Sequence, residues 1–225
     1  MNLTLLIPCK NDRLNLINVI DTIKKKYPDI KILVVTNNEN DFDPLLQKKF
    51  TNIKRINQKL PGFGSALKEG IDLIDTKFFI IHVADGSFDI DIIGKMYELS
   101  KNYDFIFCDR YMKNGGSDDD TLLTWFGNHF FTKISKYLLN IKLNDVLYTH
   151  VLCNTEVTKS FNLERSDFTF CIELPFKVFK YNNSVKSLPT REKKRLSGKK
   201  NVNEFSDGFL ILIYIFRLFF LNLKK

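Results

Sequence analysis

The chain has 225 residues, 44% hydrophobic and 27% charged, which suits one α/β domain with a large core and argues against a second independent domain. Lys and Arg outnumber Asp and Glu 34 to 26, a formal net charge of +8, so the expected partner is anionic: a nucleic acid, an acidic membrane surface or a phosphorylated substrate. Cys9, Cys108, Cys153 and Cys171 form no CxxC pair, and His82, His129 and His150 no HxxxH pair. Zinc-ligand and disulfide spacing are therefore absent, and these residues read as buried reduced thiols of a cytosolic protein and as satisfied structural histidines.

The opening MNLTLLIPCKND lacks the positive flank and long apolar core of a signal peptide and reads as a first strand over residues 3–7, ended by Pro8. Asn11 or Asp12 then caps a helix carrying Leu14, Leu16, Ile17, Ile20 and Ile23, and residues 30–35 form a second strand. This β-α-β unit opens a parallel sheet with a nucleotide crevice. The polar loop TNNENDFD follows at the carboxyl edge; Asp43 caps a short helix through Phe50, and residues 52–57 give a third strand. Pro61-Gly62-Phe63-Gly64-Ser65 precedes a helix to about Ile74. Its glycines allow backbone to approach a ligand, and the helix N-terminus favours an anion, although a plain turn reads equally well. GFGSA matches neither GxGxxG nor a Walker pattern, which sets aside hydride-cofactor and ATPase readings.

Residues 77–89, KFFIIHVADGSFD, hold a continuous apolar run closed by Asp85-Gly86-Ser87. Such a run reads as a strand buried on both faces, with Asp85 at its carboxyl end. Open α/β sheets bind ligands at that edge, and a carboxylate there can hold a divalent cation against a diphosphate; a turn with an N-cap is the plain alternative. A helix over 89–101 and a strand over 103–108 follow, ending in Asp109-Arg110-Tyr111, where Arg110 can pair with phosphate or with a carboxylate. KNGGSDDD reads as a flexible loop with solvated aspartates. Residues 122–139 have helical spacing with an aromatic stripe that is core or lines a groove for a lipid chain. An extended stretch over 145–153, a short helix over 154–161, a helix over 169–180 carrying Glu173 and a last strand over 184–189 complete the domain. The loop TREKKRLSGKKN is basic, residues 186–200 holding seven Lys or Arg against one acid, Glu192. GFLILIYIFRLFFLNL is apolar over fewer than the roughly 20 residues that span a bilayer. It reads as a helix lying in the membrane interface with Arg217, Lys224 and Lys225 toward headgroups, or as a helix docked on the core or a partner.

Several segments, in this order, resemble inverting GT-A glycosyltransferases of the dolichyl-phosphate mannosyltransferase and polyprenyl-phosphate glycosyltransferase type. LLIPCKNDRLNLINVI resembles that family's VxIPxYNExENI, PGFGSALKEGI its G-x-G-x-A-x-x-x-G, and VADGS its D-A-D-x-(S/Q) metal motif. CDRYMKNGGS resembles G-S-R-Y-x-x-G-G, FTFCIELPFKVFK resembles F-x-F-x-x-E-L, and PTREKKRLSGKKN resembles P-x-x-x-x-x-R-x-x-G-x-S-K. The resemblance implies an α/β GT-A domain over residues 1–204, with a Rossmann-like, mostly parallel central sheet flanked by helices, and an interfacial helix over 205–225. It implies inverting transfer from a GDP- or UDP-sugar to a polyprenyl phosphate or other membrane-associated glycan acceptor, with Mg²⁺ or Mn²⁺, on the inner face of the membrane and without a nucleic-acid partner.

The site it implies puts Asp85 and Ser87 on the metal, and Pro8, Asn11, Asp12, Asn37, Asn38, Glu39, Gly64 and Ala84 around the donor. Arg110, Arg191, Arg195, Lys199 and Lys200 would hold diphosphate and acceptor phosphate, and Glu173 would be the base for a hydroxyl acceptor. The chain departs from the pattern at Val83, where the first metal-motif Asp is expected, at TNNENDFD in place of V-D-D-G-S, and after Asp145, where VLYTHVLC lacks the family's Arg. A catalytically impaired member acting as a membrane-associated nucleotide-sugar-binding or scaffold subunit is therefore one alternative, and a basic nucleic-acid-binding protein, though without an RNP or zinc-finger pattern, is another.

Overall fold

Alternating apolar runs and amphipathic stretches fold into a seven-stranded sheet covered by helices on both faces; the computed structural model describes residues 1–198 and 200–223. The first half comprises β1 (Leu3–Cys9), α1 (Arg13–Lys26), β2 (Lys31–Thr36), a 3-10 turn (Glu39–Asp41), α2 (Leu45–Lys49), β3 (Ile53–Asn57), α3 (Phe63–Leu73) and β4 (Phe78–Ile81). The second comprises α4 (Ile93–Leu99), β5 (Phe105–Asp109), β6 (Gly116–Ser117), α5 (Leu122–Leu139), β7 (Val151–Asn154), α6 (Thr155–Ser160), α7 (Phe170–Lys180), β8 (Val185–Pro189), β9 (Arg191–Glu192) and α8 (Ser206–Leu223).

The sheet runs β3-β2-β1-β4-β7-β5-β8. All its pairings are parallel except those of β7, which lies antiparallel between β4 and β5. The strands alternate between two cores, which explains their unbroken apolar sequences. Leu5, Ile7 and Ile80 pack with Leu16, Ile20 and Ile23 of α1 and Ile93 and Met96 of α4. Leu6, Phe79 and Ile81 pack on the other face with Leu67 and Ile71 of α3, Ile172 of α7 and Ile215 of α8. All four cysteines are buried and free.

Several spans differ from the sequence expectations for local reasons. The expected helix over 89–101 begins only at Ile93, because the Asp89 carboxylate first accepts the Asp91 N–H in a turn. KNGGSDDD is not a loose loop: Gly116–Ser117 pairs with Arg191–Glu192 in a second, two-stranded parallel sheet. The aromatic stripe of α5 divides: Phe131, Ile134 and Leu138 pack against the core, whereas Trp125, Phe126, Phe130 and Tyr137 are exposed. α8 buries Ile211, Tyr214, Ile215 and Leu218 and leaves the rest of its circumference outside. It is long and apolar enough to be a candidate membrane span, with 18 residues of mean hydropathy 1.6. At 1.5 Å per residue it measures about 27 Å, just short of a bilayer core of about 30 Å.

His129 is satisfied, its Nδ1 lying 2.9 Å from the Trp125 carbonyl. His82 and His150 are not. The pairing of β4 with β7 brings these two fully buried rings edge to face 5.2 Å apart, His150 stacking on Phe88 and His82 meeting it edge-on, and their nitrogens meet no hydrogen-bonding partner among the described residues. Burial lowers the His82 pKa from 6.5 to about 3; burial, then the charge of His82, pushes His150 down too. The unfolded chain binds protons that the folded one refuses, so stability falls as pH drops from 6.5 toward 3. The melting temperature should decline over that window, and the double variant H82F/H150F should show a flatter decline in a pH series of thermal melts.

Candidate active site

Because β1, β2, β4 and β5 are co-directional, their carboxyl ends open on one edge, and antiparallel β7 enters the sheet from that same edge. A cleft of about 430 Å³ lies there. Pro8 reaches it from the end of β1 and Asp12 from after that strand, Asn37 after β2, Gln58 after β3, Ala84, Asp85 and Ser87 after β4, Arg110 after β5, and Tyr148 ahead of β7.

The turn after β4 carries Asp85 into the cleft. Gly86 sits at φ +80°, and a Cβ there would meet Leu196 Cγ at 2.7 Å, so the basic loop can lie directly on the turn. Leu196 N–H donates to the Asp85 carbonyl (2.9 Å) and Lys193 N–H to the Ser87 carbonyl (2.8 Å). The Ser197 hydroxyl donates to Asn15 Oδ1 (2.7 Å), tying the loop to α1 as well. This strap aims Arg195 inward: Nη1 is 3.4 Å from Asp85 Oδ2 and Nη2 is 3.0 Å from Asp119 Oδ2. Lys200 Nζ donates to the Asp119 carbonyl at 3.1 Å. Burial works against the Arg195 charge, but its hydrogen bond to Asp119 and the charges of Asp85, Asp119 and Asp12 raise its pKa overall. Asp119 is likewise disfavoured by burial, yet Arg195 and Lys200 hold its carboxyl below the usual range. Asp12 goes up: burial and the charges of Asp85 and Asp41 outweigh the hydrogen bond from Asn15 and the charge of Arg195.

Arg110 forms the cleft's inner wall. Its Nε and Nη2 donate to the two carboxylate oxygens of Asp145 (2.7 and 2.8 Å), and Nη1 donates to Glu192 Oε2 (2.8 Å) and lies 3.6 Å from Asp120. Of the two pairings its sequence position allows, phosphate or carboxylate, Arg110 makes the second, and it also stacks 4.5 Å over the Tyr148 ring.

The fold thus brings together Pro8, Asp12, Asn37, Ala84, Asp85, Ser87, Arg110, Arg195 and Lys200. It uses the other candidates differently. Asn11 adopts φ +60° and donates its N–H to Asp41. Asn38 caps the turn that contains Glu39. Gly64 is packed against the Arg165 and Asp167 carbonyls, with no room for a Cβ. Arg191 is solvent-exposed and pairs with Asp118. Glu173, 1% exposed, accepts the Glu164 and Arg165 N–H groups and pairs with Lys177, and it does not line the cleft. Lys199, Lys224 and Lys225 lie outside the described residues.

Asp119 and Asp120, expected to be solvated, are instead ion-paired wall residues, as is Glu192, while Asp145 lies buried behind Arg110. The sequence holds an acidic run and a basic loop about eighty residues apart with nothing that pairs them, and only Asp145 stands out, as the opening of the segment that departs from the family pattern. Among the described cleft-lining residues, the carboxylates of Asp12, Asp85, Asp119, Asp120, Glu192 and Glu204 outnumber the cations of Lys10, Arg110, Arg195 and Lys200. The chain's positive excess therefore lies elsewhere, and an anionic ligand here gains from an accompanying cation. The described residues contain no cluster of three or more His, Cys, Asp or Glu able to hold a metal ion by itself. A single carboxylate such as Asp85 suffices for Mg²⁺ when substrate phosphates complete the shell.

Removing Arg110 strands the Asp145 carboxylate, which is 2% exposed. R110A should lose about 3–5 kcal/mol of stability, read as a fall in the urea midpoint, whereas R195A should shift that midpoint by less.

Among solved structures, three of the similar ones are glucosyl-3-phosphoglycerate synthase from Mycobacterium tuberculosis in different complexes. The complex with phosphoglyceric acid aligns with TM-score 0.73 at 10% identity, covering 96% of this chain and 79% of that one. The complexes with Mn²⁺, UDP and glucosyl-3-phosphoglycerate and with Mn²⁺, UDP-glucose and glycerol 3-phosphate each align at TM-score 0.71 and 11% identity, over 96% of this chain and 79% of theirs. At such identity the likeness shows the fold, which is GT-A. Among curated proteins no sequence matches. The profile of glycosyl transferase family 2 matches residues 4–161. That match covers well over half of the chain and displaces the nucleic-acid-binding reading of its charge: the protein belongs to glycosyl transferase family 2 and is a glycosyltransferase.

Proposed function

We propose that the cleft transfers a sugar, with inversion, from a UDP- or GDP-sugar to an acceptor phosphate presented at a membrane, a polyprenyl phosphate being the acceptor class. One observation carries this reading: Asp85, Arg195 and Lys200 converge at the carboxyl edge of the sheet, where open α/β folds bind nucleotides. The similar structures hold UDP or UDP-glucose with Mn²⁺ and a phosphorylated compound, which supports a nucleoside diphosphate sugar, a divalent cation and a phosphorylated acceptor in this chain as well.

The acceptor phosphate oxygen attacks the anomeric carbon, the carbon–oxygen bond to the diphosphate breaks, and the nucleoside diphosphate leaves with that electron pair. A phosphate acceptor arrives ionised, so no side chain has to take a proton; the work is orientation and charge stabilisation. Asp85 would hold Mg²⁺ or Mn²⁺, which when bound neutralises the diphosphate. Arg195 and Lys200, held in place by Asp119, would bind the leaving diphosphate. Pro8, Asp12, Asn37 and Ala84 would line the nucleotide pocket. Residues 1–204 form the transferring unit in this reading, and 205–225 keep it on the inner membrane face.

Thermal-shift screening of UDP- and GDP-sugars with and without Mn²⁺ should find one nucleotide whose stabilisation needs the cation. D85N and R195A should each lower transfer by about 100-fold or more in an assay with that donor and a polyprenyl phosphate. Transfer by both variants at the wild-type rate would overturn the site. Val83, which lines the cleft where a second carboxylate is expected, favours one other reading, a subunit that binds nucleotide sugar without turnover; donor binding with no transfer to any phosphate acceptor would select it.

A further inference from the structure

α5 and α8 pack side by side, and each turns an apolar stripe outward. On α8, Phe209, Ile213, Phe216 and Phe220 fall on one line of the helix and are exposed, opposite the buried Ile211, Tyr214, Ile215 and Leu218. On α5, Leu122, Phe126, Lys133 and Lys136 fall on one line and are exposed, so this face grades from apolar to basic along the helix, with Trp125 beside its apolar end. The two helices touch through Gly208 and Phe131. Exposed apolar surface of this extent marks an interaction site.

The charges decide between occupants. α5 carries no Asp or Glu, and α8 carries only Asp207, whose carboxylate accepts the Asn203 N–H. Lys133, Lys136 and Arg217 are exposed beside the stripes. A second copy of the chain would bring these cations against their own kind, whereas anionic headgroups would meet them favourably. Thr124 and Asn128 of α5 and Ile211 of α8 also line the cleft, so the face adjoins its mouth.

We infer that α5 and α8 together form a platform that rests on an anionic lipid bilayer, with α5 as a membrane-contacting element in its own right and the cleft mouth opening at the headgroup level. This deepens the proposed transfer to a membrane-borne phosphate and rests on that reading for its purpose. Its geometry stands on the exposed faces alone. Trp and Phe anchor the apolar end, as in interfacial helices, while Lys133 and Lys136 reach headgroups.

Trp125, the sole tryptophan, reports on the α5 face directly. With the full chain, vesicles of equal parts phosphatidylglycerol and phosphatidylcholine should blue-shift its emission, and brominated acyl chains should quench it. Vesicles of phosphatidylcholine alone should bind far less. The variant K133Q/K136Q should bind the anionic vesicles roughly tenfold more weakly or worse, and F126E should abolish the Trp125 shift with the circular dichroism spectrum unchanged. Vesicle binding with Trp125 emission unmoved would overturn the platform in favour of α8 alone. A concentration-dependent dimer in sedimentation that shields Trp125 without lipid would also overturn it. Cation-dependent stabilisation by a nucleotide sugar, measured on the same preparation, tests the cleft separately: if it persists while vesicles leave Trp125 unmoved, only the platform fails.

Discussion

A buried guanidinium is costly to desolvate unless carboxylates pair with it, and Arg110 is paired with carboxylates from three separate parts of the chain. Asp145 precedes β7, Glu192 lies in β9, and Asp120 precedes α5. Ser117 donates to the same Glu192 oxygen at 2.5 Å, drawing the two-residue sheet into the network. The cleft wall, the start of the aromatic helix and the entry to the basic loop are therefore fixed to the end of β5 by one side chain. With Arg110 committed to structure, Arg195 and Lys200 are the cations better placed to answer a ligand's charge.

The distribution of charge matters more than its sum. A net charge of +8 suggests a basic site, yet the cleft walls carry more carboxylates than cations. The excess lies on outer surfaces, including Lys133, Lys136 and Arg217 on the two apolar helices. The whole molecule can thus be drawn to an anionic surface, while the cleft selects for a ligand that brings its own countercharge.

The central strand and Asp85 were legible in the sequence because a strand buried on both faces must be apolar throughout, and it has to stop where polar chemistry begins. The placement of α8 was half legible: its composition betrayed an apolar helix, but which residues face inward follows from the shape of the core. Asp119 was not legible, since runs of acids usually point to water and its partners Arg195 and Lys200 lie about eighty residues away. Glu173 misled for the opposite reason. It sits in a motif that suggests chemistry, but two neighbouring N–H groups and Lys177 already use its carboxylate. His82 and His150 look unrelated in the sequence and meet because β4 and β7 are neighbours.

The antiparallel strand β7 imposes an order on how the protein comes into being. β1, β2 and β3 are joined by sequential crossovers and the chain then returns to place β4 beside β1, but β4 and β5 do not pair: residues 151–154 lie between them. Asp85 and Arg110 stand on opposite sides of that seam. During synthesis the nascent chain cannot join the two banks of the cleft until β7 has left the ribosome. It cannot strap Arg195 onto Asp85 until the basic loop has followed, so the site closes only after all seven strands of the main sheet have been made.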